Sequence, residues 1–258
     1  MSEGKGLGSV RAVQARLSEA GSIFVLTGSG ISSESGLPTF RGAGGFWRTH
    51  PVQQLASPQG FARDPVLVWT WYNERRAAYA QAEPNAGHRA LAALEARVGG
   101  EFTLATQNVD SLHFRAGSRN VLELHGQLRE ARCERCGARR ALTAALAPDE
   151  IAHACGGRFR PDIVWFGEPL PNDVWRRAAE AAARADVVLV VGTSGIVQPA
   201  ASLATHHPRA NAFVVEVNPE ETGVSAYADA VLRGTASAVL PVLLGETDEL
   251  RDVSWRAR

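Results

Sequence analysis

Three cysteines and one histidine have spacings that suit a small metal site. Cys133 and Cys136 are separated by two residues and followed by Gly137, the spacing of the first knuckle of a zinc ribbon. A second knuckle needs another Cys-x-x-Cys pair, but the later segment offers only Cys155, with His153 two residues before it. Three alternatives follow: zinc on three thiolates and His153, zinc with water as the fourth ligand, or a former site now held by packing.

A histidine and a group of amide and carboxylate side chains each follow a short apolar segment. His125 has a side chain that titrates near neutral pH, which suits a general base, although a lone histidine is more often structural. Gln107, Asn108 and Asp110 follow the predicted strand 102–106. They could hold a carboxamide and ribose hydroxyls through paired hydrogen bonds. The alternative is that Asn108 and Asp110 only cap a helix.

A glycine-rich turn follows the first predicted strand. Its Gly-Ser-Gly sequence at 28–30 lets backbone N–H groups approach a pyrophosphate, and a helix from Ile31 would direct its positive end there. A dinucleotide fingerprint needs a third glycine, where this chain has Ser33. It also needs an acidic residue about 20 positions further on, where residues 48–50 are Arg-Thr-His. The turn suits a bound nucleotide but departs from the dehydrogenase pattern, and the alternative is an ordinary glycine-rich turn between a strand and a helix.

The elements that must position these residues alternate along the chain. Apolar runs predict strands, and segments with helical spacing lie between them. The predicted strands are 23–26, 102–106, 185–192 and 212–217, and the predicted helices are 10–20, 65–81, 85–98, 173–184, 199–206 and 237–244. This order predicts an α/β fold with a doubly wound, parallel, Rossmann-like sheet. Small and polar residues at two further strand ends, Gly192, Thr193, Ser194 and Asn218, suit an adenosine ribose.

Two segments interrupt the alternation and predict a smaller inserted lobe. Residues 36–84 hold aromatics, prolines and helices without a strand, and residues 132–159 hold all three cysteines. We expect residues 1–35, 85–131 and 160–258 to form the Rossmann-like domain. Residues 36–84 would form a cofactor loop and helical module, and residues 132–159 a zinc-ribbon-like module, with a cleft between the lobes.

Composition excludes several classes of partner. The chain has 27 basic and 27 acidic residues, so it lacks the basic excess that binds nucleic acid or an anionic membrane. Three cysteines fit no paired disulfide framework, and the N-terminus does not read as a signal peptide. The longest apolar run, 187–191, is too short to span a bilayer. We expect a cytoplasmic protein, and the sequence implies no particular oligomer.

Taken together, these segments resemble the sirtuins, the NAD-dependent protein-lysine deacylases. The resemblance runs from about Ser22 to Leu244 and departs from the family mainly at Ser29, where sirtuins usually have alanine. The motifs that carry it are residues 28–32, 38–42, 106–110, 124–126, 160–168, 192–194 and 217–218.

The resemblance implies a reaction that consumes NAD. The acyl-lysine oxygen attacks the ribose carbon that bears nicotinamide, His125 takes a ribose proton, and the products are free lysine, nicotinamide and O-acyl-ADP-ribose. Asn108 and Asp110 join His125 as catalytic residues, and Phe40 shields the reacting face. The implied cofactor contacts are Gly28, Ser29, Gly30, Ile31, Thr39, Phe40, Arg41, Trp47, Gln107, Asn108, Val109, Asp110, Gly192, Thr193, Ser194, Asn218 and Ala236.

Two residues on the helix predicted over 65–81 indicate which kind of acyl group the protein removes. Tyr72 and Arg75 lie three residues apart and share a helix face, and a phenol with an arginine fork suits a buried carboxylate. The pair resembles the Tyr-x-x-Arg of desuccinylases, with Ala56 as the small residue that widens the pocket. An exposed arginine and a packed tyrosine are the alternative. The resemblance also implies that residues 164–168, with Val164 and Gly167 among them, pair with the backbone of a protein or peptide substrate as an added strand, and that Phe166 lies in the acyl-lysine tunnel.

Three rival functions predict different observations. A plain NAD dehydrogenase would form NADH, and it leaves Tyr72, Arg75 and the cysteines unexplained. A protein ADP-ribosyltransferase would add ADP-ribose to its target instead of removing an acyl group. A non-catalytic, NAD-responsive binding module would account for the incomplete cysteine set, but it conflicts with the presence of His125, Asn108 and Asp110.

Overall fold

A seven-stranded sheet forms the larger part of the molecule. The computed structural model describes residues 3–39, 51–206, 208–245 and 254–257. The strand order is β10-β9-β8-β7-β1-β2-β3, and every neighbouring pair is parallel except β9 with β10. The strands are β1 (Ser22–Thr27), β2 (Glu101–Thr106), β3 (Val121–Glu123), β7 (Val187–Val191), β8 (Phe213–Val217), β9 (Ala230–Arg233) and β10 (Ser254–Ala257).

Helices cover both faces of this sheet, because the strand side chains are apolar on both sides. Ile23 and Val25 face α1, α5 and α9, whereas Phe24 and Leu26 share a second core with α7 and α8. The bounds are α1 (Glu3–Glu19), α5 (Ala86–Arg97), α7 (Asn172–Arg184), α8 (Ser202–Thr205) and α9 (Ala236–Leu243). This is the doubly wound, Rossmann-like arrangement predicted above.

A smaller lobe packs around a second, three-stranded antiparallel sheet of order β5-β4-β6. Its strands are β4 (Gly126–Cys133), β5 (Arg139–Ala141) and β6 (Phe159–Ile163), and its helices are α2 (Val52–Leu55), α3 (Pro58–Arg63) and α4 (Pro65–Gln81). Phe61, Trp69, Tyr72 and Trp165 belong to its buried core. The sheet extends beyond residues 132–159 on both sides, and the domain bounds themselves stay a prediction.

Local sequence signals explain where the site-forming helices begin. Asp64 accepts a hydrogen bond from the Leu67 N–H at 2.9 Å and is followed by Pro65, so α4 starts at a capped turn. Asn85 caps α5 and also donates to the Ile31 carbonyl at 2.7 Å. The start of α5 is thereby tied to the turn that follows β1.

Two local predictions are wrong, and two strands of the large sheet were missed. The helix expected from Ile31 is a short 3-10 helix, Ser29–Ser35. Only Ser202–Thr205 of the predicted helix 199–206 is α-helical, in α8. Strands β9 and β10 were not predicted, because four-residue strands carry too few residues for a periodic pattern. Within the described part of the chain, no helix is both long and apolar enough to cross a bilayer.

Candidate active site

A cavity of about 630 Å³ lies beside the carboxyl ends of the large sheet and reaches into the smaller lobe. All six predicted substrate residues line it, as does His125. The described residues predicted to contact the cofactor also line it, except Ile31, Asp110 and Ala236. Phe40, Arg41 and Trp47 lie outside the described residues.

The glycines after β1 allow two loops to cross. β1 lies between β2 and β7, so the strand order of the sheet reverses at β1. Open α/β sheets bind ligands at the carboxyl ends of the strands where this reversal occurs. Gly30 donates its N–H to the Gly192 carbonyl at 2.8 Å, and a Cβ on Gly30 would lie 2.7 Å from Gly192. Gly192 itself has φ +60°. Glycine is therefore required by the loop crossing, and the Gly30 N–H is bonded within the protein.

Ser32, which received no role from the sequence, connects the predicted catalytic residues. Its hydroxyl donates to Asp110 at 2.7 Å and accepts from the Asn108 amide at 3.2 Å. Asn108 also donates to the Gly28 carbonyl at 3.1 Å. Asp110 also accepts the Leu112 N–H at 2.9 Å. The same carboxylate therefore caps a helix and belongs to the network of the site. Burial raises the pKa of Asp110, and these hydrogen bonds oppose that rise.

Two buried histidines pack next to this network, on the side away from the cavity. His113 lies within hydrogen-bond distance of the Thr27 hydroxyl at 2.9 Å, and its ring centroid is 4.9 Å from that of His88. Burial lowers the pKa of His113 well below its usual value and that of His88 to about 4. Both rings are therefore neutral at pH 7. Sequence reasoning missed them, because an isolated histidine in a helix carries no positional signal.

His125 is oriented as a base by its backbone surroundings. Its Nδ1 lies 3.0 Å from the Gln107 carbonyl, which can only accept, so Nδ1 carries the proton and Nε2 is the basic nitrogen. Burial lowers the pKa of His125, while the bond to Gln107 raises it. The His125 carbonyl accepts the Val164 N–H at 2.9 Å, which holds the histidine beside the predicted substrate segment.

Tyr72 and Arg75 are both buried at the end of the cavity formed by the smaller lobe, so the exposed-arginine alternative is wrong. The Arg75 guanidinium lies 4.8 Å from the Trp71 ring centroid and 5.0 Å from that of Tyr79, whose hydroxyl it also contacts. Burial lowers the pKa of Arg75 to about 10, and Tyr72 and Asp110 oppose this. Arg75 remains a cation at neutral pH, in a desolvated position that favours an anionic ligand.

The cysteines and His153 meet in one cluster whose four ligand atoms lie within 4.8 Å of one another. The Cys133 and Cys155 sulfurs are 3.5 Å apart, and His153 Nδ1 is 3.0 Å from Cys155 Sγ and 3.6 Å from Cys136 Sγ. Zinc bonds of about 2.3 Å to sulfur and about 2.0 Å to nitrogen place tetrahedral ligands about 3.5–3.8 Å apart. The Cys133–Cys155 and Cys136–His153 separations match this range, and the His153–Cys155 separation is shorter. The residues present therefore fit a four-coordinate zinc site with three thiolates and one imidazole.

Comparison with known proteins agrees with this geometry. The model of the Sir2 family matches residues 28–199. An NAD-dependent protein deacylase of Thermus thermophilus is 51% identical over 237 residues, covering 91% of this chain and 93% of that relative.

Solved structures extend the similarity to the fold. A Sir2 homologue in complex with NAD has a TM-score of 0.84 at 44% identity, covering 92% of this chain and 93% of that one. A Sir2–p53 peptide–NAD⁺ complex has a TM-score of 0.81 at 32% identity, covering 92% and 98%. The family match spans the glycine turn, the polar residues that follow β2 and β7, and the cysteine cluster described above. This chain belongs to the Sir2 family.

Proposed function

We propose that this protein removes acyl groups from lysine side chains of proteins in an NAD-dependent reaction, and that it prefers acidic acyl groups such as succinyl and malonyl while also accepting acetyl. The observation that carries the preference is the burial of Tyr72 and Arg75 in the same cavity as His125. The activity itself is supported by relatives named as NAD-dependent protein deacylases.

The strand ends after β2, β7 and β8 suit the cofactor. Gln107 donates to the Thr193 hydroxyl at 2.9 Å, and Asn218 donates to the Thr193 carbonyl at 3.1 Å, so the three polar side chains are held in one surface. A cavity of about 630 Å³ has the size of a cofactor site. NAD supplies a ribose carbon from which nicotinamide can be displaced. The protein holds the reactants close together and excludes water.

His125 acts as the general base. Its Nε2 faces the site as the unprotonated nitrogen, because Nδ1–H is committed to the Gln107 carbonyl. Its lowered pKa keeps this nitrogen unprotonated at neutral pH, so it can accept a proton from a ribose hydroxyl. Ser32 orients Asn108 and Asp110 at the same end of the cavity.

Tyr72 and Arg75 recognise the acyl carboxylate. Arg75 offers a guanidinium that is held between the rings of Trp71 and Tyr79. Hydrogen bonds between a guanidinium and a carboxylate are stronger than neutral ones, and they gain further strength in a desolvated site. Acetyl-lysine has no carboxylate and gains nothing from this contact. Ala56, Val164, Phe166 and Gly167 line the cavity where the acyl-lysine of the substrate protein would enter.

The test compares succinyl-lysine and acetyl-lysine peptides with wild type and Arg75→Met. We expect kcat/KM for the succinyl peptide to fall about 10- to 100-fold, since a hydrogen-bonded charge contact contributes about 1.5–3 kcal/mol. Deacetylation should fall much less. Equal losses on both peptides would refute the carboxylate contact. Mass spectrometry of the peptide should show a lost acyl group, whereas added ADP-ribose would support the transferase alternative.

Arg76→Met is the matched control. Arg76 is the neighbouring arginine on α4, but it donates to the carbonyls of Leu128, Leu142 and Ala144 in the smaller lobe and does not line the cavity. Its loss should lower stability without changing the ratio of desuccinylation to deacetylation. A changed ratio would mean that general loosening of α4 is enough to alter selectivity.

We also propose that zinc is held by the thiolates of Cys133, Cys136 and Cys155 and by Nδ1 of His153. The metal would stabilise the smaller lobe by joining the end of β4 to the loop before β6. Elemental analysis should find one zinc per chain in wild type and less in His153→Ala. Equal zinc in both would support water as the fourth ligand, and no zinc in wild type would support a site held by packing.

A further inference from the structure

Trp165 makes a hydrogen bond to the tyrosine of the acyl site. Its indole Nε1–H donates to the Tyr72 hydroxyl at 3.1 Å, and both side chains are buried. The two residues are 93 positions apart in the chain and meet where α4 packs against the segment after β6. Both line the cavity that also holds Arg75.

This bond determines the direction in which the tyrosine can donate. An indole N–H is only a donor, so the Tyr72 oxygen must act as acceptor toward Trp165. The phenol proton is then left to point away from the indole. Donation to the oxygen also polarises the O–H group and makes it a better donor. A carboxylate in the cavity accepts such a proton, whereas the methyl group of an acetyl substrate does not.

The indole is itself held in place by the ion pair of the buried Arg160 with the partly buried Glu168. The Arg160 guanidinium carbon lies 3.5 Å from the Trp165 ring centroid, and Arg160 donates to Glu168 at 2.5 and 2.8 Å. Glu168 in turn accepts the Trp165 backbone N–H at 2.8 Å. Phe61 covers the ring from another side, with centroids 5.3 Å apart. The position of Nε1 is therefore set by contacts on several sides.

We propose that Trp165 is a positioning residue for acyl selectivity, which orients the Tyr72 hydroxyl as a donor to the carboxylate of an acidic acyl group; this inference rests on the proposed function. Trp165 does not touch the reacting atoms. It acts through Tyr72, and its loss should weaken the binding of succinyl- and malonyl-lysine more than that of acetyl-lysine.

The test uses Trp165→Phe, Tyr72→Phe and the double variant with succinyl and acetyl peptides. Because a neutral hydrogen bond contributes about 0.5–1.5 kcal/mol, we expect Trp165→Phe to lower the succinyl-to-acetyl ratio of kcat/KM about three- to tenfold. The change should lie in KM for the succinyl peptide. The double variant should have the same ratio as Tyr72→Phe, since Trp165 acts only through that hydroxyl.

Trp69→Phe is the matched control. Trp69 is buried in the same core, and its Nε1–H donates to the Phe159 carbonyl at 2.8 Å, but it does not line the cavity. Its removal also deletes one buried indole hydrogen bond, so it should lower the melting temperature and leave the succinyl-to-acetyl ratio unchanged. A ratio measured on one preparation is independent of the folded fraction, so it remains informative if Trp165→Phe is unstable.

The outcomes separate this inference from the proposed function. If Arg75→Met loses selectivity but Trp165→Phe keeps the wild-type ratio, the inference on Trp165 is overturned alone. Additive ratio changes in the double variant, or a ratio change in Trp69→Phe as large as that in Trp165→Phe, would also overturn it. If wild type shows no preference for the succinyl peptide, the proposed acyl preference fails and the inference fails with it.

Discussion

The two ends of the cavity are formed by different kinds of chemical group. The cofactor end, formed by the loops after β1, β2, β7 and β8, is built around close backbone crossings and hydrogen-bonded amide and hydroxyl groups. The acyl end, formed by α4 and the segment after β6, consists of buried aromatic side chains around Arg75. One end is determined by how the sheet is wound, and the other by a few side chains.

This difference separates reaction from selectivity. A glycine crossing such as Gly30 with Gly192 tolerates no Cβ, so the cofactor end cannot change without moving two loops. Tyr72, Arg75 and Trp165 can be replaced while α4 and β6 stay in place. We therefore expect changes at the cofactor end to affect all acyl substrates equally, and changes at the acyl end to alter the ratio between substrates.

The largest expected effect is that of His125→Ala. Removal of a general base costs about 10²- to 10⁴-fold, and we expect about a 10³-fold loss of kcat. The loss should be the same for succinyl and acetyl peptides, because the base acts on a ribose hydroxyl common to both reactions. Single-turnover assays with each peptide measure it, and retained NAD binding shows that the site is folded. Unequal losses would mean that His125 also acts on the acyl group, so that reaction and selectivity are not separated in the cavity.

The two ends also differ in how far the sequence predicts them. The cofactor end follows from local patterns, since parallel strands bring Gly28, Asn108 and Thr193 to one edge of the sheet. At the acyl end, the spacing of Tyr72 and Arg75 predicts a shared helix face. Nothing local predicts that Trp165 reaches Tyr72, because that contact depends on how two distant elements pack.

The metal cluster and the buried histidines also contain contacts that the sequence alone does not predict. The spacing of the cysteines indicates a candidate metal site, but only the fold shows that His153 presents Nδ1 to the sulfurs. His88 and His113 come together because α5 and α6 (Leu112–Ala116) pack beside each other. These contacts depend on side-chain orientation or on the packing of separate elements, and local periodicity predicts neither.

The second prediction is that the protein loses stability at acidic pH, because the buried histidines His88 and His113 are neutral in the folded state. The folded-state pKa of His88 is about 4, below its unfolded value of 6.5. Above pH 6.5 both states are neutral. Below it the unfolded chain binds the proton first, so stability is lost as the pH falls from 6.5 to 4. His88 alone should cost roughly 3 kcal/mol between pH 7 and pH 4. Denaturant unfolding at pH 7, 5.5 and 4 measures this.

His88→Gln is the control for that measurement. His88 Nδ1 accepts the Asn85 N–H at 3.4 Å in a capping box, and glutamine is a favoured residue at this position. The variant should keep the cap and lose about 3 kcal/mol of the acid sensitivity. If it is as acid-sensitive as wild type, the instability arises from other groups, with His113 the first to examine.

The third prediction places a methyl group in the loop crossing. A Cβ at Gly30 would lie 2.7 Å from the Cα and carbonyl oxygen of Gly192, so Gly30→Ala must push the two loops apart. Overpacking costs about 1–3 kcal/mol, and this strain, taken up by the two cofactor-binding loops, should lower kcat/KM for NAD about 5- to 150-fold. The succinyl-to-acetyl ratio should not change. Gly99→Ala, where a Cβ meets nothing within 4 Å, is the control and should behave as wild type.

The smallest expected effect is at Glu216, a buried carboxylate under the loop after β8. It accepts hydrogen bonds from the Ser225 hydroxyl at 2.6 Å, from Arg233 at 2.9 Å and from the Thr222 hydroxyl. Arg233 also donates to the Glu220 carbonyl at 2.9 Å. The Glu216–Arg233 pair therefore holds the loop 218–223, which lines the cofactor end of the cavity.

Glu216→Gln keeps the volume of the side chain but replaces an acceptor by an amide that cannot accept from all three donors. The loop should loosen, and KM for NAD should rise about tenfold, the effect of about 1.4 kcal/mol. Asp229→Asn is the control, because it removes a charge from the residue just before β9, outside the loop 218–223, while an amide oxygen can still accept the Val214 N–H. Initial rates at varied NAD with both peptides measure the change. If Glu216→Gln alters the succinyl-to-acetyl ratio more than KM for NAD, the two ends are coupled through this loop, and selectivity is not confined to the acyl end.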